Sequence, residues 1–440
     1  MTRHSWRNEN SCLVAAISSK LHSESFKARH RSNPKHFTRD RVLTFPLLCA
    51  TLMRMPQSSI KHELEDLSET IAPSIDFKRP TTSAFSQARS HLLPTAFVEL
   101  ADMAREHVYN DRDSGRLTFW NDLRLVAIDG STIRLPESDS VRLEFDVDAD
   151  KTPLARISQC HDVLNNIIVD AAIGPLSTGE REMAIDHLLG LAPGDLLLVD
   201  RGYAAHWFFL LAELCGIELC ARVPANHCLA VREFAASGCG MATITLAPTD
   251  LSSERIDDLE AQTGVSLDCV PVQLKAVRVE LESGEAEILL TSLVQPDLTI
   301  DDFSHLYSLR WGVETIYRQE KLPAEMENFT GKTALAVRQE YFATVFACTL
   351  GAALALPATE IVERETAHRA LSYQINFKSV LCAFRRQLAR WLWNIHPLRA
   401  MQRFLRLAAD EPVPVRPGRS YPRKPKVKPP RYSFAYKGII

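Results

Sequence analysis

Residues 194–224, "GDLLLVDRGYAAHWFFLLAELCGIELCARVP", have the clearest strand and helix pattern in the sequence. The opening "GDLLLVD" is an apolar run of the length of a buried strand, and "IELCARVP" is a second such run. Between them, "AAHWFFLLAELCG" has the apolar content of a packed helix that ends at Gly216, because glycine commonly terminates helices. A strand, a helix and a second strand in this order indicate an α/β fold.

Three further strands precede this unit. "LRLVAIDGSTIRLP" (123–136) is apolar and alternating, and "ARISQCHDVLN" (155–165) and "NIIVDAAIG" (166–174) follow with a turn at Asn165 and Asn166. "REMAIDHLLGL" (181–191) has a helical pattern. Three antiparallel strands followed by alternating helices and strands predict a mixed five-stranded sheet with helices on both faces.

The remaining regions differ in character. Residues 1–115 contain no glycine before Gly115 and predict a helical N-terminal domain, with a DNA-binding role inferred mainly from charge. The first part of the sheet domain spans 116–225. Residues 226–290 predict a β-rich insertion, since "VQLKAVRVELESGEAEILLTSL" has the pattern of a hairpin around Ser283 and Gly284. Residues 291–411 complete the sheet domain and add C-terminal helices, and 412–440 form a basic, proline-rich tail.

The composition bounds the class of protein. A chain of 440 residues with 46% apolar residues can bury a large core. Its longest uncharged run, "FATVFACTLGAALALPA" (342–358), is shorter than a typical membrane span, so we interpret it as a buried helix and expect no membrane association. Ten cysteines without a C-x-x-C pair predict free thiols in a reducing cytoplasm.

The net charge of −3 hides a strong asymmetry. Residues 1–62 carry eleven Lys and Arg against three Asp and Glu, and residues 412–440 carry eight against none. Two basic ends favour a polyanionic partner, because cationic side chains release counterions from a phosphate backbone. In the tail, Tyr421, Tyr432, Phe434 and Tyr436 alternate with the charges as stacking groups. The alternative is that basic ends only aid solubility.

Two aspartates end apolar runs: Asp129 follows "LVAI" and Asp200 follows "LLLV". Either alone could cap the turn after a strand. If the two strands are neighbours and Glu314 packs at the same sheet edge, three carboxylates converge and require a cation. Hard oxygen ligands suit Mg²⁺ or Mn²⁺, and two ions would activate an attacking oxygen and stabilise a leaving oxygen in phosphoryl displacement.

The segment "YSLRWGVETIYRQEK" (307–321) places Tyr307, Arg310, Glu314 and Lys321 on one stripe of a helix, beside an apolar face. One interpretation is a solvated face with i,i+4 ion pairs. The other combines a metal ligand, Glu314, with phosphate-gripping cations, Arg310 and Lys321, and an adjacent Tyr307.

This spacing, Y-x2-R-x3-E-x6-K, resembles the YREK signature of DDE insertion-sequence transposases. "DGSTIRLP", "PGDLLLVDRGY" and the block around the signature are similar to the family's motifs, and "TTSAFSQAR" and "RQEYFATVFACTL" resemble its flanking segments. The resemblance implies a ribonuclease H-like domain interrupted by a β-rich insertion. It also implies cut-and-paste transposition of an insertion sequence in a bacterial nucleoid.

By the same resemblance, Asp129, Asp200 and Glu314 would be the catalytic, metal-binding triad. Tyr307, Arg310 and Lys321 would contact DNA near the scissile phosphate. The implied partners are double-stranded DNA, as terminal inverted repeats and as target, and a second copy of the chain in a synaptic homodimer.

Two other functions stay open at this stage. One is a cleavage-inactive relative that binds DNA and inhibits transposition, and the other is a small-molecule α/β enzyme with structural aspartates. A hairpin intermediate is also left open, because residues 221–300 contain no tryptophan on which a flipped base could stack.

Overall fold

The computed structural model describes residues 3–38, 42–72, 80–110, 117–248, 253–267, 270–280, 285–310, 325–415 and 436–437. It divides into two compact units. The helical unit comprises Met1–Leu117, Thr132–Ala155 and Arg318–Ile440. The sheet unit comprises Thr118–Ser131 and Arg156–Tyr317.

The helical unit contains the N-terminal and C-terminal helices. Its described helices are α1 (Arg3–Leu21), α2 (Glu24–His30), α3 (Phe45–Met53), α4 (Ile60–Ile71), α5 (Thr82–Arg89), α6 (Thr95–Tyr109), α7 (Asp139–Glu144), α13 (Ala334–Thr366), α14 (Phe377–Leu392) and α15 (Pro397–Ala409). A short antiparallel pair, β9 (Tyr373–Gln374) and β10 (Val413–Pro414), closes it. Ser23, Thr44, Thr81 and Thr333 each accept a backbone N–H as an N-cap, which explains where α2, α3, α5 and α13 begin.

Helix α13 is the centre of the helical unit and packs against α3, α6, α14 and α15. By length and composition alone α13 could cross a membrane, but 78% of its most apolar window is buried inside the protein. It contains the run interpreted from sequence as a buried helix, and that run has the burial of a core helix.

The sheet unit is built on one mixed sheet. Its strands are β1 (Arg124–Arg134), β2 (Leu154–Asp162), β3 (Ile167–Gly174), β4 (Asp195–Val199), β5 (Glu218–Val223), β6 (Met241–Leu246), β7 (Val272–Glu280) and β8 (Ala286–Thr291). Its helices are α8 (Glu180–Leu189), α9 (His206–Leu214), α10 (Leu229–Ser237), α11 (Ser253–Thr263) and α12 (Ile300–Leu309).

The strands lie in the order β3-β2-β1-β4-β5-β8-β7-β6. β1, β4 and β5 are parallel, whereas β2 with β3 and the series β5, β8, β7 and β6 pair antiparallel. The predicted α/β class and mixed sheet are confirmed. The predicted number of five strands is too low, because the sheet has eight strands in the part of the chain that the structure describes.

The extra strands come from the segment predicted as an insertion. β8 pairs with the free edge of β5 over Val223↔Ile288 to Cys220↔Thr291, and β7 and β6 extend the sheet further. An unpaired edge strand leaves backbone N–H and C=O groups without partners, and pairing with β8 satisfies them. Sequence patterning indicated these strands but not which edge they would join.

Candidate active site

The two aspartates lie at the same level of neighbouring parallel strands, Asp129 within β1 and Asp200 directly after β4. The β1–β4 register runs from Arg124↔Asp195 to Ala127↔Leu198. Asp129 and Asp200 each come two residues beyond that last pair, so the register places them side by side. The strand residues before them, Leu125–Ile128 and Leu196–Val199, are fully buried, whereas both aspartates are partly exposed. The sheet is thus a rigid apolar support for two carboxylates at a solvent-accessible edge.

Asp129 is followed by a glycine that lies beside the Glu180 side chain. The Asp129 carboxylate accepts the Gly130 N–H at 3.0 Å. A Cβ at Gly130 would lie 2.9 Å from Cγ and Cδ of Glu180, the first residue of α8. Arg156 binds Glu180, with its Nη1 2.8 Å from Glu180 Oε1. A larger residue at position 130 would therefore require the flexible, half-exposed Glu180 side chain to shift.

Asp200 is bound by donors from its own turn and from β5. Its Oδ1 accepts the Arg201 N–H at 2.6 Å and Nη2 of Arg222 at 3.0 Å. Burial opposes ionisation, but the Arg201 N–H and the charges of Arg222 and Arg310 outweigh it and lower the pKa of Asp200. Asp200 is therefore a carboxylate at neutral pH, as a metal ligand must be.

Arg222 bridges two carboxylates on different strands. Besides Asp200, it donates from Nη1 to Glu287 Oε1 on β8 at 2.5 Å. Burial would lower the pKa of Arg222, but the hydrogen bond to Glu287, with Asp200 nearby, raises it above its ordinary value. A positive charge thus already lies against Asp200 in this structure.

Helix α12 brings Tyr307 to the end of β4. It begins with a capping box, in which Asp302 N donates to Thr299 Oγ1 and Thr299 N donates to Asp302 Oδ2. The Tyr307 hydroxyl donates to the Val199 carbonyl at 3.3 Å, one residue before Asp200. Burial raises the pKa of Tyr307, so its hydroxyl stays protonated.

Arg310 follows the end of α12 and is 1% exposed. Its guanidinium carbon lies 5.7 Å from the centre of the Tyr307 ring, a separation in the range of a cation–π contact. Both residues are buried beside Asp200, so this geometry gives them a packing role. Their predicted contact with DNA stays a prediction.

Comparison with known proteins identifies the family. The family described as "Transposase DDE domain" matches residues 120–350, more than half of the chain and all of the edge just described. The chain belongs to the transposase DDE-domain family. The search among curated proteins found no matching relative.

Among solved structures, this DDE-domain chain is similar to a piggyBac transposase in a synaptic complex with hairpin DNA. The two share 12% sequence identity with a TM-score of 0.42, and the match covers 95% of this chain and 88% of the other.

Glu314 and Lys321 lie in 311–324, outside the residues that the structure describes. The predicted meeting of Glu314 with the two aspartates is therefore untested. Within the described ranges, no group of three or more His, Cys, Asp and Glu side chains could hold a metal ion. The structure thus brings together two of the three predicted carboxylates of the DDE domain.

The chemistry of the residues present fits a divalent cation. Asp129 and Asp200 offer hard carboxylate oxygens on two rigid strands, and both are accessible to solvent. One carboxylate oxygen of Asp200 already pairs with a cation, the Arg222 guanidinium. These two aspartates can supply part of a Mg²⁺ or Mn²⁺ site in the DDE domain, and a further ligand has to come from elsewhere.

Sequence reasoning missed four residues around this edge: Arg156, Glu180, Arg222 and Glu287. Arg222 is one residue short of the end of β5, the parallel neighbour of β4. Its position at the end of "ELCARV" could have indicated a partner for Asp200. Glu287 gave no such signal, because the pairing of β8 with β5 was not predictable from the pattern.

Proposed function

We propose that this transposase catalyses cut-and-paste DNA transposition of an insertion sequence. One observation carries the proposal: the register of the parallel strands β1 and β4 places Asp129 and Asp200 side by side within the matched DDE domain. Water attacks phosphorus at the boundary of a terminal inverted repeat, and the bond to the 3′-oxygen breaks. The freed 3′-hydroxyl then attacks a target phosphodiester, whose own 3′-oxygen leaves.

The proposed core is ribonuclease H-like. The order β3-β2-β1-β4-β5, with β2 and β3 antiparallel and β1, β4 and β5 parallel, supports this proposal. The proposed domains are a helical DNA-binding domain (1–115), the first part of the core (116–225), a β-rich insertion (226–290), the last part of the core with the C-terminal helices (291–411) and a basic tail (412–440).

In this proposal Asp129, Asp200 and Glu314 are the catalytic carboxylates and hold Mg²⁺ or Mn²⁺, with two ions the expected number. When bound, the ions would lower the pKa of the attacking water and offset charge on the phosphoryl oxygens. The sheet keeps the two aspartates fixed, and the Gly130 and Arg201 N–H groups orient their carboxylates.

Arg222 and Glu287 have a supporting role in this proposal. Without a divalent cation, Arg222 offsets the charge of Asp200 beside Asp129. Glu287 Oε1 lies 2.5 Å from Nη1 of Arg222. Arg222 would therefore keep an anionic partner when Asp200 binds a metal ion.

The proposed partners are double-stranded DNA, at the terminal repeats and in the target, and a second copy of the chain in a synaptic homodimer. Tyr307, Arg310 and Lys321 are proposed to contact DNA near the scissile phosphate, and the chain is proposed to be a member of the YREK group of DDE transposases. The charge asymmetry of the sequence supports an anionic partner and a location on the bacterial nucleoid in the cytoplasm.

The test incubates purified protein with linear DNA that ends in the element's own inverted repeats, with Mg²⁺ or Mn²⁺. We expect cleavage at the repeat boundary, abolished in Asp129→Asn, Asp200→Asn and Glu314→Gln. Asp186→Asn, an exposed aspartate on α8, is the matched control and should cleave normally. Cleavage that survives in Glu314→Gln removes Glu314 from the triad, and binding without cleavage in either metal favours an inhibitory relative.

A further inference from the structure

The helical unit contains a cleft of about 1320 Å³ that the proposed chemistry does not use. It lies between the end of α1, the start of α2, residues 34–38 and 42–46, α5 and Trp393. This volume is above the range of about 300–1,000 Å³ typical of small-molecule sites. The cleft therefore suits a segment of a larger ligand.

The titratable side chains that line the cleft are mostly basic. They are His22, Glu24, Lys27, Lys35, His36 and His91. The acid, Glu24, is exposed and pairs with Lys27 at 2.7 Å. Lys35 is exposed, and His22, His36 and His91 add three imidazoles, the side-chain group that gains positive charge most readily as pH falls from neutral. The lining thus complements an anion, and more strongly as pH falls.

Two of these imidazoles are stacked. The His36 and His91 ring centroids lie 3.5 Å apart with an angle of 21° between the ring planes. Nδ1 of His36 lies 3.1 Å from the Ser32 hydroxyl, which fixes the orientation of its ring. Burial, and then the charge of His36, lower the pKa of His91. Two stacked imidazolium ions repel each other, and an anion beside them removes much of that repulsion.

We propose that this cleft binds the phosphate backbone of duplex DNA and that the His36–His91 pair takes up a proton as a phosphate enters. The inference rests on the proposed function, since it specifies where the helical unit holds the DNA that the sheet unit cuts. Lys35 and the paired imidazoles contact phosphate oxygens, which position the duplex without reading its sequence.

The basic side chains are spread around the cleft, which favours DNA over a small anion as the ligand. A single phosphate needs only one concave donor set, whereas Lys35 and His36 on the segment after α2 and His91 after α5 come from separate elements around one cleft. A backbone with several phosphates can engage these groups together, and each contact releases counterions. This origin predicts binding that weakens steeply with salt.

The test measures binding of a fluorescent short duplex to the full-length chain without divalent ions, so that cleavage does not interfere. Titrations at about pH 6 and about pH 8 lie on either side of the ordinary imidazole pKa of about 6.5. The variants are Lys35→Gln and the pair His36→Gln with His91→Gln. His62→Gln, an exposed histidine outside the cleft in the same basic region, is the matched control.

We expect the wild-type chain and His62→Gln to bind several-fold more tightly at the lower pH. The paired histidine variant should lose most of that pH dependence, and Lys35→Gln should weaken binding at both pH values and reduce the salt slope by about one. Unchanged thermal midpoints confirm that the variants fold. Lys35 is exposed, so Lys35→Gln still tests the cleft if the paired variant unfolds.

The inference is overturned if both cleft variants bind the duplex as His62→Gln does. Normal cleavage by the same variants would then leave the proposed function standing. Conversely, pH-dependent binding through the cleft with no cleavage by the wild-type chain refutes the proposed activity and retains the DNA site.

Discussion

The guanidinium of Arg222 lies 3.0 Å from the carboxylate of Asp200, so the proposed metal ligand already has a cationic partner. Both side chains are partly exposed, at 23% and 33%, which leaves water to screen the pair. A divalent cation and Arg222 therefore compete for the charge of the same carboxylate.

Replacing Arg222 by Met should tighten Mn²⁺ binding, because a cation beside Asp200 is removed while the carboxylates remain. We expect a gain of about fivefold, equal to about 1 kcal/mol, measured by calorimetric titration of the apoprotein. Glu287→Gln should weaken Mn²⁺ binding, because Arg222 loses one of these two carboxylate partners and pairs more strongly with Asp200. The control is Arg232→Met, an exposed arginine on α10. Equal Mn²⁺ affinity in all four proteins would contradict the competition.

A buried ion pair between Arg89 and Glu340 holds α5 against α13. Arg89 Nη2 lies 2.7 Å from Glu340 Oε1, and Arg89 also donates to Gln339, Thr330 and the Ala336 carbonyl. Arg89→Met should lower the free energy of unfolding by about 3–5 kcal/mol, because Glu340 is left buried without its cation. Urea denaturation measures this loss. Lys27→Met, which breaks the partly exposed pair with Glu24, should cost less than about 1 kcal/mol.

The glycine next to this pair allows an independent check. A Cβ at Gly331 would lie 2.8 Å from Arg89 Nη1 and 2.5 Å from Ala336 Cβ. Gly331→Ala should therefore also destabilise the helical unit, through displacement of the Arg89 side chain. A stability equal to that of the wild-type chain in both Arg89→Met and Gly331→Ala would show that the pair contributes nothing net.

The periodicity of the sequence was enough to predict the strands and helices that carry Asp129 and Asp200. An apolar run such as "LLLV" predicts a buried strand, and Asp200 directly follows that strand, whereas Asp129 lies within β1, which continues to Arg134. The partners of these strands were harder to predict. The joining of β8 to β5 depends on contacts between residues 218–223 and 286–291, which no local pattern encodes.

The same limit applies to the side chains around the site. The burial of Arg310 and the bridge from Arg222 to Glu287 depend on how α12 and β8 pack, and their charges alone predicted solvent or DNA contact.

Buried His161 predicts acid-sensitive folding. It lies on β2, fully buried, and neither ring nitrogen has a hydrogen-bond partner among the described residues. Burial lowers the pKa of His161 from 6.5 to about 3. Between these values the unfolded chain binds a proton that the folded chain does not, so lowering the pH favours unfolding.

The free energy of unfolding should therefore fall by up to about 1.4 kcal/mol per pH unit from about pH 6.5 down to about pH 3, below which this contribution ends. His161→Leu replaces the imidazole with an apolar side chain of similar size and should remove that slope. Urea denaturation across the pH range measures the effect. His62→Gln, which changes an exposed histidine, should keep it. Identical slopes in His161→Leu and the wild-type chain would place the pKa of His161 near its ordinary value.

Lys437 makes several contacts within the helical unit. Its ammonium donates to the Asn328 carbonyl at 2.6 Å and to the Pro56 carbonyl, and Glu325 lies 3.5 Å away. Its backbone N–H donates to the Phe329 carbonyl at 2.7 Å, and the Tyr436 ring lies 4.6 Å from Nζ of Lys332. Burial lowers the pKa of Lys437, opposed by Glu340 and Glu325. These contacts make Tyr436 and Lys437 part of the folded unit.

Lys437→Met should lower the free energy of unfolding by about 2–3 kcal/mol, because two carbonyls and a carboxylate lose the donor that satisfies them in a buried site. Deleting 436–440 should cost at least as much, and the thermal midpoint of the full chain measures both. Lys424→Met, within the basic tail, carries the same change of charge and serves as the control. Equal thermal midpoints of Lys437→Met and Lys424→Met would show that the ammonium contacts of Lys437 do not stabilise the fold.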